Sequence, residues 1–398
     1  MLVAALYPPS MRRSAVGFSF LCLVLCVGCT DRGGSSETNP RTTVEDGGEA
    51  SSPDTTIGRD SEVSFKTLSE RAAHTATRLS SGDVLVVGGC VTDGCSAATV
   101  ETFIVSSDGT SVVRGPDLSG PRDGHTAHAL ANGSVVLIAG YAGEGRPPLA
   151  SIEVFDAESG TIRSLAELTV PRGGHASALL SGDRVLVVGG WIARRTFSSS
   201  AEIIDTATGS VFEAAPLPVA LHAMDAVALA DGRVLVTGGQ VDVETGTNRA
   251  WLYDSSSDAW SETGGMADRR FKHLSVILPD GRVLVIGGTT DDREILSTTE
   301  IYDPASGSFT AGPDLLEPRY KLPGGAVAVA AGKVFVGGGG RTIEALDVDE
   351  GISILIEDLE TQGSFATTTA LGDGLILVLG GYDQSIDLRR RVRIVPTV

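Results

Sequence analysis

The chain has 398 residues, 42% of them hydrophobic and 20% charged, with 50 glycines and 5% aromatics. That is enough apolar material for a large core, and the glycine excess points to many tight turns. A formal charge of −19 disfavours nucleic-acid binding, which needs a basic surface; length alone would allow two or three domains, but closed all-β folds run longer as single units.

The N-terminus reads as a targeting segment. Arg12 and Arg13 form a positive n-region, and residues 15–28 are almost wholly apolar. The run is shorter than the roughly 20 residues a spanning helix needs, so it reads as a signal-peptide core. It ends in Val27-Gly28-Cys29, which resembles the bacterial lipobox, with Cys26 where leucine is usual. The resemblance implies that residues 1–28 are removed and that Cys29 is lipidated. That would place the chain at the cell envelope, on the periplasmic face or the cell surface, with a lipid as its only membrane contact. A plain cleaved signal or an uncleaved anchor are the alternatives. Loss of the two arginines would take the formal charge from −19 to −21. Residues 29–60 are rich in Ser, Thr, Gly, Asp and Glu, include Pro40 and Pro53, and are expected to be a flexible tether to a folded body at 61–398.

Of five cysteines, Cys22, Cys26 and Cys29 lie in the leader region, leaving Cys90 and Cys95 in the folded part. In an oxidising compartment a close pair in one loop is most simply a disulfide. No histidine shares that loop, so a metal site there lacks ligands.

The strongest signal is internal repetition. An apolar run ending in two small residues recurs seven times, at 84–89, 135–140, 185–190, 234–239, 283–288, 334–338 and 375–381. The first small residue falls at 88, 139, 189, 238, 287, 337 and 380. Each unit reads as four strands. The first alternates small and apolar residues, as at 74–79 and 125–130. A turn such as Asp231-Gly232 or Asp280-Gly281 leads into the second, a continuous Val/Leu/Ile run suited to burial on both faces. A variable loop follows, then a third strand (152–156, 202–205, 251–254, 300–303) and an Asp-led turn such as Asp303–Gly307. The fourth strand carries an apolar or aromatic residue: Phe212, Trp260 or Phe309.

Four strands per repeat is a propeller pattern. Asp280-Gly281-Arg282-Val283-Leu284-Val285-Ile286-Gly287-Gly288, followed by Glu300-Ile301-Tyr302-Asp303-Pro304 and Phe309, resembles a kelch repeat of the kind that forms the galactose oxidase propeller. The resemblance spans about 62–398. The expected fold is an all-β, seven-bladed β-propeller of four-stranded kelch-like blades. The last unit has no fourth strand of its own. Ser64-Phe65-Lys66-Thr67-Leu68 resembles Ser164–Leu168, and this N-terminal strand is expected to complete the last blade and remove two exposed edges. Six blades plus a degenerate unit is the alternative.

Several residues look chemical. Five of six histidines lie at or near the start of a first strand, and His128 lies within one. A histidine ring could bind a metal, but a residue recurring at one repeat position more simply belongs to the blade plan, and no metal is expected. Arginine precedes the first strand, and glutamate occurs on the third, in the same five units: Arg71/Glu101, Arg122/Glu153, Arg172/Glu202, Arg270/Glu300 and Arg319/Glu344. The fourth unit lacks both, with Leu221 and Trp251 in their places. The co-occurrence suggests one structural Arg–Glu pair per blade rather than an anion-binding rim. Asp93 and Asp291-Asp292 read as solvated loop acids.

In the kelch family, ligands meet the loops of one propeller face. The loops after the small pairs vary while the strands repeat, which is where specificity resides on a fixed scaffold. Tyr141, Trp191, Arg194, Arg195 and Gln240 are the candidate contact residues. The expectation is a monomeric, non-enzymatic binding or scaffolding protein of the cell envelope, taking a protein or glycan and no cofactor. The alternative is a carbohydrate-active or galactose oxidase-like enzyme, although that family's copper constellation cannot be placed on this chain residue by residue.

Overall fold

The structure, a computed structural model, describes residues 65–397 apart from 194, 195, 244, 292, 330, 331, 373 and 390. The leader, the tether with Cys29, and Arg194 and Arg195 lie outside the described residues. Among the described residues no helix is long and apolar enough to cross a membrane.

Among the described residues, seven antiparallel blade sheets follow one another along the chain, and blade 3 carries an extra two-stranded hairpin. Blade 1 has strands Thr75–Arg78, Val84–Val87, Thr102–Val105 and Val112–Arg114, each paired with the next in sequence. Blades 2 to 6 repeat this four-strand order, and blade 7 shows three strands, Thr367–Ala370, Leu375–Leu379 and Val392–Pro396. The β-branched runs at 84–87, 135–138 and 283–286 form the second strands, buried at every residue. Sandwiched within its own sheet and covered by a blade on each side, such a strand has no solvent face, which is why the sequence shows no alternation there. The turns into them share one geometry. In blade 1, Leu79 N–H donates to Asp83 O and Gly82 N–H to Leu79 O, with Gly82 at φ 90°. Leu229 and Leu278 repeat this pattern with Gly232 and Gly281. An L side chain is strained at that φ, so glycine holds the position. Hydrophobic clusters then sit between blades: Val84 and Val86 pack with Leu377 and Leu379, and Leu284 and Ile286 with Val334 and Val336.

The small-residue pairs are the joints of the ring. The N–H of Gly89, Gly140, Gly190, Gly239, Gly288, Gly339 and Gly381 donates to the carbonyl of Arg122, Arg172, Leu221, Arg270, Arg319, Gly363 and Arg71 respectively, over 2.8–3.0 Å. Each acceptor belongs to the next blade, and the seventh bond returns to the first. A Cβ on Gly287 would stand 2.5 Å from Arg319 O, so main chain meeting main chain demands a small residue here.

One expectation differs. Phe65–Thr67 forms a single 3-10 turn rather than a strand, and Leu68 N–H donates to Phe65 O. Ser64 lies outside the described residues. Blade 7 meets blade 1 through the Gly381–Arg71 joint and through packing, with Phe65 and Leu68 joining Val84, Phe103, Leu371 and Leu377 in one buried cluster.

Candidate ligand-binding cleft on the loop face

Five arginines precede the first strands, and all are wholly or almost wholly buried. Each reaches the glutamate of its own blade: Arg71–Glu101 at 3.3 Å, Arg122–Glu153 at 2.6 Å, Arg172–Glu202 at 2.7 Å, Arg270–Glu300 at 2.7 Å and Arg319–Glu344 at 2.6 Å. The guanidinium also donates to the carbonyl of a small-pair residue, as from Arg172 to Gly189 O at 2.9 Å and from Arg319 to Gly338 O at 2.9 Å. The glutamate accepts main-chain N–H groups of the incoming loop, Thr169 and Val170 for Glu202. These charges are therefore committed to the joints. Glu101 departs slightly, since it precedes its strand and shares its carboxylate with Ser69 and Arg114. In blade 4 Leu221 and Trp251 fill the equivalent space as buried hydrophobics in one cluster. In blade 7 Gly363 leaves room for Arg391, whose guanidinium comes from beside the third strand and donates to Thr361 O.

The recurring histidines stitch neighbouring blades. His74 Nε2 pairs with Thr367 Oγ1 at 3.0 Å, His125 with Thr75 at 2.9 Å, His175 with Thr126 at 3.0 Å and His273 with Thr237 at 2.9 Å. Burial holds His74, His175 and His273 down to about 3, so they stay neutral. Among the described residues no three His, Cys, Asp or Glu side chains gather as metal ligands.

His222 is different. It occupies the position just after the joint residue, and so lies with the loops of the face. That position carries Ala72, Asp123, Gly173, His222, Phe271, Tyr320 and Ser364 in the seven blades. In six of these blades it abuts the residue after the small pair: Cys90, Tyr141, Trp191, Gln240, Thr289 and Tyr382. Tyr141, Trp191 and His222 come together with Asp123, Arg146, Pro147 and Pro148 around a cleft of about 990 Å³, closed at one end by Gly94 and Cys95. Cys95 is disulfide-bonded to Cys90. The aromatic wall is tightly built. His222, Trp191 and Phe197 form one cluster, with ring centroids 5.2 Å apart for Trp191–His222, 5.5 Å for Phe197–His222 and 6.0 Å for Trp191–Phe197. The short hairpin Trp191–Ala193 with Thr196–Phe197 presents both aromatics. Gly173 and Gly174 exist to admit the Tyr141 ring and His222 Nε2, which a Cβ at either would strike.

Two polar groups of this cleft, the Asp123 carboxylate and the Trp191 indole N–H, have no partner among the described residues. No described residue hydrogen-bonds or ion-pairs with the carboxylate of half-buried Asp123, and burial pushes it up to about 7. Burial and the neighbouring Asp123 charge raise the Tyr141 phenol. Trp191 Nε1 is buried without a partner among the described residues. Arg146 is exposed at the rim. By contrast, the second hollow, about 540 Å³ near Glu317, Arg341 and Asp383, has carboxylates already bonded: Glu317 to Arg341 N–H and Thr342, Asp383 to Arg389. Gln240, a sequence candidate, is buried and bonds His222 Nδ1 at 3.2 Å and Val243 O at 3.0 Å, so it supports the wall from behind. Asp123, Phe197 and His222 were not legible as site residues. Aligning the units on the joint arginine would have exposed the first and last, because the next position is the one that varies most.

The model of the family described as Kelch motif matches residues 172–218, 226–267 and 270–316. Two of these matches begin at joint residues, Arg172 and Arg270, and together they cover blades 3 to 5. The chain is a kelch-repeat β-propeller. No curated protein is significantly similar to it in sequence. The solved "Structure of YjhT" is 14% identical with a TM-score of 0.50, over 61% of this chain and 83% of that one. Since 1211 solved chains match, such a likeness speaks for the fold and leaves function to the site. A kelch propeller supports a binding or scaffolding role in general.

Proposed function

We propose that this propeller is a monomeric, lipid-anchored binding protein of the cell envelope, and that it takes a glycan in the cleft between the loops of blades 1 to 4. One observation carries the reading: a partly buried carboxylate without a partner among the described residues, Asp123, faces the same cleft as Tyr141, Trp191 and His222. A buried carboxylate left unpaired is costly, and a ligand that donates two hydroxyls to it removes that cost. Sugar rings offer such hydroxyls along with apolar C–H faces that suit aromatic walls. A protein segment, the other partner compatible with loops on this face, would satisfy Asp123 with a single basic side chain and would leave the aromatic wall less used. The Cys29 signature and the polar stretch after it support display of the propeller at a membrane.

The test is a glycan-array screen of the purified chain, followed by titration calorimetry with the best glycan. Trp191→Ala and Asp123→Asn are expected to weaken binding at least tenfold while leaving the fold intact. Retained affinity in both variants would refute the site. Cys29→Ser is expected to move the protein from the membrane to the soluble fraction, and an unchanged distribution would refute the anchor.

A further inference from the structure

We propose that the outer strand of blade 6, Ile352–Asp358, is a docking edge for an extended apolar segment of a partner protein that carries basic residues at both ends. The other fourth strands serve as internal controls. They present Thr161, Arg163, Ser164, Glu213, Ser261, Glu262 and Thr310 at exposed positions, with no more than one exposed large hydrophobic on any strand, Val113 in blade 1 and Phe212 in blade 3, the mostly polar pattern that keeps free edges from pairing. Blade 6 instead exposes Ile352, Ile354, Leu355 and Ile356 at 37–54%. Leu316 extends the patch: its N–H is held by Glu344, the residue directly across from Leu355. Hydrophobics concentrated on one strand edge mark an interaction surface.

The strand pairs with 342–347 on one side, and no described main-chain group pairs with its other side. Ile354 faces Ala345, of the core between blades 6 and 7, whereas Leu355 faces Glu344. An added strand would therefore find apolar side chains on both faces. Ile356 is the extra residue of a bulge, since Leu355 opposes Glu344 and Glu357 opposes Ile343. Bulges interrupt a ladder, so pairing is confined to about Ile352–Leu355.

Charge selects the occupant. Asp349 and Glu357 are engaged by Arg282 and Arg393. Among the described residues, exposed Glu350, Asp358 and Glu360 have no ion pair, and they bracket the apolar stretch at both ends. A second copy would bring acids against acids on a chain of formal charge −19. Residues 30–64 of this chain carry eight acidic residues against Arg32, Arg41 and Arg59, a net charge of −8 + 3 = −5, and meet the same repulsion. An apolar strand with lysine or arginine at its ends matches both the edge and its rim.

The full chain would be titrated with a fluorescein-labelled peptide of alternating Val and Thr flanked by two Lys at each end, and with its Glu-flanked counterpart. Binding of the Lys peptide alone, weakening as salt rises, is expected. Leu355→Glu should reduce it at least tenfold, and Phe212→Glu on blade 3 should leave it unchanged. Hydrogen exchange at the main-chain N–H groups of 352–358 that point away from 342–347 should be fast in the free chain and slow with the Lys peptide. Equal binding of both peptides, or of neither, overturns the proposal. So does protection of those outward N–H groups in the free chain, whether constant (its own segment) or rising with protein concentration (a second copy).

Discussion

Blade 4 shows what replaces a joint ion pair, and copying it into blade 3 measures what the pair does. Arg172 has no exposed side-chain surface and Glu202 only 3%. The guanidinium donates to Glu202 at 2.7 Å, to Gly189 O and Ser200 O at 2.9 Å each, and to Val170 O at 3.2 Å. Arg172→Leu leaves the carboxylate buried with two main-chain donors, Thr169 at 2.6 Å and Val170 at 3.2 Å. Breaking a buried pair costs about 3–5 kcal/mol, and those two donors place this case near 3. Adding Glu202→Trp removes the stranded charge and recreates the Leu221/Trp251 packing. What then remains is a few unsatisfied main-chain groups, about 1–2 kcal/mol in all. The double variant should therefore be about 1–2 kcal/mol more stable than Arg172→Leu alone. Urea unfolding followed by tryptophan fluorescence reads all three proteins. A single-variant loss below about 1 kcal/mol, or a double variant no better than the single, would refute the claim that these arginines are structural.

Other perturbations test the rest of the frame. A histidine depressed in the folded state holds its stabilisation above its ordinary 6.5 and loses it as pH falls toward about 3, the value for His74, His175 and His273. Melting temperature should thus drop through that window, and His175→Gln should flatten the drop in a calorimetric pH series. Asp123 has the opposite sign. Raised to about 7 from 3.8, its contribution is complete below 3.8 and is lost as pH rises toward 7. Asp123→Asn should raise the melting temperature at pH 8 and hardly change it at pH 4. Cys90→Ser with Cys95→Ser opens a loop closed over a sequence separation of 5, a loss of about 2 kcal/mol on chain-entropy grounds. Because Asp93 holds Leu388 N–H and Gly94 N–H donates to Ile386 O, exchange at 386–388 should quicken in that variant.

The repeat was legible because each blade solves the same local problem. A strand with no solvent face needs Val, Leu and Ile; a joint between main chains needs two small residues; a turn at φ near 90° needs glycine. The Arg–Glu covariation was legible for a related reason: blade 4 loses both members together. The cleft was half legible. Tyr141 and Trp191 stood out as variable residues on loops, but Asp123 lies three positions before its first strand begins at Thr126, and no motif marks it. His222 looked like a misaligned member of the histidine set, when it belongs to another position altogether. Phe65–Thr67 was misread because its resemblance to Ser164–Leu168 reports side-chain type, and Phe65 fills the same kind of buried slot as Leu165 while its main chain turns.

The joints also explain why the residue after each arginine is free to vary. The joint carbonyl receives the neighbouring blade, the guanidinium secures its own, and the histidine three positions on ties to a hydroxyl behind it. The side chains of the two residues between carry no share of that work. The second of them links blades through its main chain, Gly124 N–H donating to Ala73 O and Lys272 N–H to Ala223 O, at a positive φ of 52° to 59° from Ala73 to Phe365 around the ring. The first projects beside the loop after a small pair, and it can be alanine, aspartate, histidine, phenylalanine or tyrosine without disturbing a joint. Seven such positions ring one face, and their differences cost the scaffold little. Asp123 is the exception, because the folded chain would be more stable near neutral pH with a neutral side chain there. A residue kept at the expense of stability, at a position the fold leaves open, is better explained by what it contacts in the cleft than by any role in the propeller.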